Sequence, residues 1–162
     1  MNRAFSLVLL IGFAPTNAQA CSANAMTLFS CTFGGGAKTA EVCLGASDVT
    51  YRFGPTGEPP ELVVEATPAR VHLTPWNGIG RAIWEEVVFT NAGYDYLVHY
   101  SAERDPGGAV SGGIVVAQGG RDVAQLTCDE GSVAGADFYP LYDAKEAAGQ
   151  CYDRANFVWG PC

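Results

Sequence analysis

The sequence has few of the residue patterns that mark an active site or a metal site. Its two histidines, His72 and His99, belong to neither an H-x-H nor an H-E-x-x-H pattern, which would bring two imidazoles to one metal. It also contains no C-x-x-C and no G-x-S-x-G segment, so the common redox, zinc-knuckle and nucleophile-elbow motifs are excluded. We therefore expect no metal and no cofactor, and the motifs favour a protein that is not an enzyme.

Positive charge is also scarce. Lys and Arg number 9 against 17 Asp and Glu, which gives a net charge of −8. Nucleic acid and anionic lipid both attract positively charged surfaces, so this balance argues against either as a ligand. A cationic protein is a compatible partner, but we favour the simpler explanation that the acidity keeps an exported protein in solution. The composition does not indicate an oligomeric state.

A long apolar run occurs only at the N-terminus, where residues 5–14 read FSLVLLIGFA. Arg3 precedes this run, Pro15 ends it, and Ala18 and Ala20 form an A-x-A cleavage pattern. The run is too short for a transmembrane helix, which needs about 20 apolar residues. The pattern predicts a signal peptide over residues 1–20 and an exported protein, periplasmic or extracellular, with no transmembrane segment. Residues 21–162 then form a single domain, with a core over 26–129 and a C-terminal extension over 130–162.

All six cysteines follow the predicted cleavage point: Cys21, Cys31, Cys43, Cys128, Cys151 and Cys162. An even number in an exported chain indicates three disulfides, for which fifteen pairings exist. Cys21 could instead be lipidated and anchor the protein to a membrane, but this would leave one thiol unpaired, so we favour a disulfide. Two strands flanking the GGGA turn suggest Cys31–Cys43, the short tail loop suggests Cys151–Cys162, and Cys21–Cys128 remains.

Turn residues divide the chain into eight distinct short segments with strand character, residues 26–33, 38–44, 48–54, 61–66, 81–90, 94–101, 113–118 and 121–128. A further segment, residues 70–73, is less distinct and leaves room only for a short strand. Closely spaced strands joined by tight turns are typical of an antiparallel barrel or sandwich. Asp143 and Glu146 have the spacing of a helix start and Gly149 that of a stop. We therefore predict an all-β fold with one short C-terminal helix and a disulfide-closed tail.

The layout SCTF…EVCL…YRFG…ELVV…GYDYLVHY…GGIVVAQGG…LTCD resembles that of a group of small secreted β-domain proteins of Gram-negative bacteria. The resemblance covers about residues 27–129 and implies an exported, disulfide-linked β domain. The general plan of about eight strands is also similar to that of periplasmic lysozyme inhibitors. At the level of the fold, this second similarity implies a binding role against a cationic enzyme.

Two sets of polar or aromatic residues lie in the best-defined hairpin, and they suggest different roles. Ser101, Glu103, Arg104 and Asp105 belong to a long polar turn that carries both charge signs, and we expect them to form a binding site. The alternating tyrosines Tyr94, Tyr96 and Tyr100 could form a carbohydrate platform, but we expect them to pack in the core.

Glu85 and Glu86 are adjacent carboxylates in one predicted strand, so they point to opposite faces and cannot act as an acid–base pair with each other. We expect one to be solvated and the other to lie at an edge or near an arginine.

Three functions are compatible with these observations. The first is an exported, non-enzymatic binding or inhibitor-like domain of the bacterial envelope, acting on a cationic partner such as a lysozyme. The second is a small envelope hydrolase whose carboxylates come from different strands and meet only in the folded protein. The third is a structural envelope protein. A cleft with convergent polar groups would favour the enzyme, whereas a protruding loop would favour the binding domain.

Overall fold

The computed structural model describes residues 21–162, and the predicted signal peptide lies outside them. Within these described residues, short strands follow one another, with a single α-helix near the C-terminus. In chain order the elements are β1 (Met26–Phe33), β2 (Lys38–Leu44), β3 (Val49–Pro55), β4 (Leu62–Ala66), a 3-10 turn (Pro68–Arg70), β5 (His72–Thr74), β6 (Ala82–Asn91), β7 (Tyr94–Glu103), β8 (Val110–Gln118), β9 (Arg121–Thr127), α1 (Tyr139–Ala147), β10 (Gln150–Asp153) and β11 (Val158–Pro161).

Nine of the strands form two antiparallel sheets, ordered β1-β2-β3-β4 and β5-β6-β7-β8-β9, and β10 pairs with β11 as a separate hairpin. Alternate residues of each sheet enter one shared apolar core, where the ring of Tyr51 stacks on that of Phe89 at 5.6 Å. The prediction of an all-β antiparallel fold is therefore confirmed. Two separate sheets on one core correspond to the sandwich rather than to the barrel. Within residues 21–162, no helix has the length and apolar character needed to cross a membrane.

The single helix begins earlier than predicted. It starts at Tyr139 rather than Asp143, with Pro140 in its first turn, where a missing amide hydrogen costs no hydrogen bond. Its end agrees with the prediction, because Gly149 follows the last turn with a φ of +81°, a conformation that glycine adopts readily. The tail beyond it was predicted as an aromatic loop but forms the β10–β11 hairpin.

The structure contains three disulfides, Cys21–Cys43, Cys31–Cys128 and Cys151–Cys162. The expected number, the participation of Cys21 and the Cys151–Cys162 pair are confirmed. The predicted pairs Cys31–Cys43 and Cys21–Cys128 are wrong. The register of the first hairpin gives the reason.

In the first hairpin, Cys31 lies opposite Ala40, whereas Cys43 lies opposite Thr27. Three residues of extended strand, about 10 Å, separate positions 40 and 43 along β2, which is too far for a disulfide. The register also shifts between Thr27 and Phe29, where β1 carries a bulge. Cys43 therefore faces the N-terminal segment and bonds Cys21.

Cys31 bonds Cys128 because the chain crosses from one sheet to the other after β9. The amide of Cys128 donates to the Gly112 carbonyl at 3.0 Å, and the next amide, of Asp129, donates to the Thr32 carbonyl at 2.8 Å. The following segment then runs along the open edge of β1, where Ser30 and Ala134 exchange two backbone hydrogen bonds. This segment covers an edge that would otherwise present unpaired backbone groups.

Lys145 joins the C-terminal extension to the second sheet. Its side chain is fully buried, and its ammonium donates to the Pro68 carbonyl at 2.9 Å and to the Val71 carbonyl at 2.7 Å. The same ammonium lies 4.7 Å from the centre of the Trp159 ring, and the Trp159 indole donates to the Leu73 carbonyl. Helix α1, the chain before β5 and strand β11 therefore meet at one buried cation, and burial lowers the pKa of Lys145 to about 8.

We expect this lysine to make stability depend on pH. In the unfolded chain Lys145 keeps its proton up to its ordinary pKa near 10.5, whereas the folded protein releases it from about pH 8. Between these values the unfolded state binds more protons, so the free energy of unfolding rises with pH. Relative to a Lys145→Met variant, the wild type should gain about 1–2 kcal/mol between pH 8 and pH 9.5, measured by urea unfolding. An unchanged difference between the two proteins over this range would contradict the assignment.

Candidate functional site

Two loops lie side by side at one end of the second sheet, and they contain most of the predicted site. Residues 75–81 connect β5 to β6, and residues 104–109 connect β7 to β8. Glu103, Arg104 and Asp105 are exposed at this end. Ser101, the fourth predicted residue, lies within β7 opposite Ser111 of β8, because the strand continues to Glu103. The structure therefore brings three of the four residues together and leaves Ser101 on the sheet.

Arg104 connects the two loops. Its backbone amide donates to the Arg81 carbonyl at 3.0 Å, and its side chain donates to the Gly80 carbonyl at 3.4 Å. The guanidinium also lies over the Trp76 indole, 5.4 Å from the ring centre, which is within cation–π range. The ion pair of this region joins Arg81 to Asp105 at 3.9 Å, and because both side chains are exposed it contributes about 0–1 kcal/mol.

The first loop has an internal hydrogen-bond frame that displays an apolar side chain. The Trp76 indole donates to the Ile79 carbonyl at 3.0 Å, and the Ile79 amide donates to the Asn77 side chain at 3.0 Å. Gly78 and Gly80 have positive φ values of +85° and +110°, which allow the chain to reverse here. The side chain of Ile79 is left 75% exposed at the tip.

A cleft of about 380 Å³ adjoins the loops on the core side of the sheet. It lies between the end of the second sheet, the start of helix α1 and the turn between β10 and β11. Its walls are mainly aromatic and apolar, and two acidic side chains and one arginine lie among them. The lining residues are Pro75, Trp76, Gly78, Ile83, Glu85, Tyr100, Asp137, Tyr139, Tyr142 and Arg154.

Glu85 is the buried polar residue of this cleft and is only 6% exposed. It shares the core face of β6 with Val87 and Phe89 and lies opposite Tyr100 of β7. Its Oε2 accepts hydrogen bonds from the Tyr100 hydroxyl at 2.6 Å and from the Phe138 amide at 2.8 Å. Glu85 and Glu86 point to opposite faces of β6, as predicted. The expectation that one would be solvated and the other would lie at an edge or near an arginine is wrong for Glu85, because it is buried on an interior strand and the register pairs it with a tyrosine hydroxyl.

Burial raises the pKa of Glu85 because the charged carboxylate loses its hydration, and the nearby negative charge of Asp137 raises it further. The hydrogen bonds from the Tyr100 hydroxyl and the Phe138 amide oppose this shift by stabilising the ionised form, and the Trp76 amide adds a smaller contribution in the same direction. Burial also raises the pKa of Tyr100, and the hydrogen bond that its hydroxyl donates to Glu85 adds to this effect. Tyr100 therefore acts as a hydrogen-bond donor, and the carboxyl of Glu85 holds its proton to a higher pH than an exposed glutamate does.

The start of helix α1 provides the aromatic wall. Tyr139 and Tyr142 lie one above the other with ring centres 5.8 Å apart and planes inclined by only 3°. The Trp159 ring supports Tyr142 edge-on at 4.9 Å. Asp137 accepts a hydrogen bond from the Tyr139 amide at 2.9 Å, and Arg154 is exposed at the rim. Two parallel aromatic rings thus stand beside a buried and an exposed carboxyl group.

Sequence reasoning missed this cleft but placed two tyrosines of the stripe, Tyr96 and Tyr100, correctly in the core, whereas Tyr94 is half-buried and lies outside the core cluster. Tyr100 is buried, and Tyr96 packs against Tyr51 with ring centres 5.7 Å apart, so both belong to the core. One signal for Glu85 was available, since it alternates with Val87 and Phe89 on the apolar side of its strand. The residues that come from the C-terminal extension gave no such signal.

A larger groove of about 600 Å³ lies on the outer face of the first sheet, beneath the turn at residues 55–60. Three charged residues line it: Glu41 and Arg52, which stand opposite each other on β2 and β3, and Glu58 of the turn. Burial raises the pKa of Glu41, and the positive charge of Arg52 partly reverses the shift. Glu41 and Arg52 compensate each other, and the groove contains none of the residues predicted for binding.

Comparisons of the chain with protein-family models, with curated proteins and with solved structures found no match. Two features of this end of the molecule are candidates for contact with a ligand or partner. They are the loop pair, defined as residues 75–81 and 103–109, and the aromatic cleft beside it.

Proposed function

We propose that the protein is an exported, non-catalytic binding domain of the bacterial envelope that holds a protein partner with its loop pair. The observation that carries this proposal is the position of Arg104 on Trp76, which makes one surface out of two loops. Trp and Arg are enriched among the residues that dominate binding energy at interfaces. A surface held by internal hydrogen bonds also loses less conformational entropy when a partner binds.

Export is supported by the predicted signal peptide and by the three disulfides, which persist mainly in oxidising compartments. Two of them connect the N-terminal segment and β9 to the first hairpin, and the third closes the tail. Such a scaffold suits binding through loops, because the loops are then presented by elements that move little.

A cationic partner, such as a lysozyme, is the class that we propose. The whole chain carries a net charge of −8, and the resemblance to lysozyme inhibitors points the same way. Within the loop pair, Arg81 and Arg104 balance Glu103 and Asp105. The attraction would therefore come from the field of the whole molecule, and the loop pair would supply the specific contacts.

A hydrolase is the second candidate, and one observation favours it. Glu85 has a raised pKa in a cleft that also contains Asp137, and enzymes that cleave glycosidic bonds use two carboxyl groups of this kind. Against this, Oε2 of Glu85 already accepts two hydrogen bonds from the protein, which gives the residue a structural role. We therefore rank binding first.

One turbidity assay on bacterial cell walls separates the two candidates. The protein alone should leave the walls intact, whereas in micromolar excess it should slow their clearing by a basic lysozyme. Ile79→Ser should raise the concentration needed for half inhibition about tenfold or more, because it removes the exposed apolar tip of the loop pair. The matched control is Val123→Ser, which removes a β-branched side chain that is 56% exposed on β9.

Clearing by the protein alone would favour the hydrolase. Undiminished lysozyme turnover at micromolar excess would remove lysozyme as the partner. Equal inhibition by the wild type and Ile79→Ser would remove the loop pair as the contact surface.

A further inference from the structure

The exposed aromatic residues of the cleft have no role in the proposed contact between the loop pair and a protein partner. Tyr139 is 60% exposed although it is a large aromatic residue, and its ring lies parallel to that of Tyr142. A stacked pair at the surface presents a flat apolar face to whatever enters the cleft. Such an exposed aromatic face, next to buried polar groups, is characteristic of ligand sites rather than of ordinary protein surface.

Hydrogen-bonding groups stand around the same space. The hydrogen bonds that Glu85 accepts from Tyr100 and Phe138 both fall on Oε2, and the Trp76 amide also lies close to the carboxylate, so Oε1 retains at least one lone pair for a further donor. Asp137 uses Oδ1 to accept the Tyr139 amide, which leaves Oδ2 as an acceptor. Arg154 adds donors at the rim. The cleft therefore has both hydrogen-bond acceptors and hydrogen-bond donors next to its aromatic wall.

We propose that the aromatic cleft binds a neutral saccharide, with the face of one sugar ring against Tyr139 and its hydroxyl groups on Glu85, Asp137 and Arg154. A sugar ring has C–H groups on its faces, which pack on aromatic rings, and hydroxyl groups at its edge, which both donate and accept hydrogen bonds. The cleft volume of about 380 Å³ falls within the range of about 300–1,000 Å³ that is usual for small-molecule sites.

Charge favours a neutral ligand over an ionic one. Asp137 and Arg154 carry opposite charges, so Arg154 repels a cationic ligand and Asp137 repels an anionic one. The raised pKa of Glu85 reduces the negative charge on the cleft floor at mildly acidic pH. A polyhydroxylated ligand uses both kinds of side chain without bringing a charge of its own into the cleft, and so avoids the cost of desolvating that charge.

The predicted saccharide contacts lie outside the loop pair, although Pro75, Trp76 and Gly78 of the first loop also line the cleft. A protein partner could be held by the loop pair with the cleft empty, and a saccharide could bind without any partner. Variants at Tyr139 therefore test the cleft, whereas variants at Ile79 test the loop pair, and one can fail while the other succeeds.

The test is calorimetric titration of the protein with three named probes. They are the trisaccharide of N-acetylglucosamine, maltotriose, and L-arginine methyl ester as a cationic probe. At least one trisaccharide should bind with saturation at millimolar concentration or below, and more tightly than the arginine ester. Tyr139→Ala should weaken that binding at least about tenfold, because it removes the stacking face.

The matched control is Phe157→Ala, which removes a 52% exposed aromatic residue that does not line the cleft, and it should bind as the wild type does. Asp137→Asn is a second variant that keeps the acceptor for the Tyr139 amide, and it should weaken binding severalfold. Melting curves should show that all three variants are folded. The proposal is overturned if neither trisaccharide saturates, if Tyr139→Ala binds as tightly as the wild type, or if the arginine ester binds more tightly than both sugars.

Discussion

A Cys31→Ala/Cys128→Ala double variant is expected to lose about 4–5 kcal/mol of folding free energy, the largest effect among the three disulfides. The reason is the length of the loop that this bond closes. Its cysteines are 97 residues apart, whereas the others are separated by 22 and 11 residues. A longer loop removes more conformational entropy from the unfolded chain. The bond also fixes the crossing between the two sheets.

Urea unfolding of two double variants, one for each of these disulfides, measures the difference in folding free energy. Cys151→Ala/Cys162→Ala is the matched control and should lose only about 2–3 kcal/mol, because its loop is short. Equal losses from the two double variants would contradict the role given to loop length. A free thiol in the oxidised wild type would contradict the pairing itself, since residues 21–162 contain no free cysteine.

Glu85→Ala is expected to destabilise the protein by about 3 kcal/mol. The change removes the acceptor of the Tyr100 hydroxyl and of the Phe138 amide, and both donors are buried. A buried donor without a partner costs about 1–3 kcal/mol, and the lost packing adds to this. Glu85→Gln keeps an oxygen at the same place and should change stability by no more than about 1 kcal/mol. Chemical unfolding at a fixed pH measures both.

The difference in stability between the wild type and Glu85→Gln is expected to depend on pH. Because the pKa of Glu85 is raised on folding, the folded state binds more protons than the unfolded state between the ordinary and the raised value. Stability due to this group therefore falls as pH rises through that interval. Relative to the wild type, Glu85→Gln should become more stable as the pH rises from 4 to 7. A constant difference would show that Glu85 titrates in the folded protein as it does in the unfolded chain.

The strands were predictable because their signals are local. The segments 26–33 and 38–44 were predicted with the bounds that β1 and β2 have in the structure, since turn residues and apolar alternation mark both ends. The bulge in β1 left no comparable signal. It shifts the register between Thr27 and Phe29 and so sets Thr27 opposite Cys43, whereas Cys31 lies on the turn side of the bulge, opposite Ala40. Disulfide pairing depends on register, which sequence alternation alone does not determine.

The sequence predicted one of the two loops of the loop pair but neither the other loop nor the cleft. Arg104 and Asp105 stood out because their turn is long and charged, but their contacts with Trp76 and Arg81 come from a loop about 25 residues earlier in the chain. The cleft joins Glu85 of β6 to Asp137 and Tyr139, which lie more than 50 residues later. Side chains so far apart in sequence meet only through the packing of helix α1 against the sheet end, and no local pattern reports that packing.

Capture from bacterial envelope extract is the most direct test of the proposed recognition of a protein partner by the loop pair. Three immobilised proteins are compared: the wild type, Arg104→Ala, and Arg121→Ala. The last is the matched control, because Arg121 is an exposed arginine at the start of β9, at the opposite end of the β7–β8–β9 strands. We expect the wild type and Arg121→Ala to retain the same protein in equal amounts and Arg104→Ala to retain far less. Equal retention by all three proteins would contradict the account.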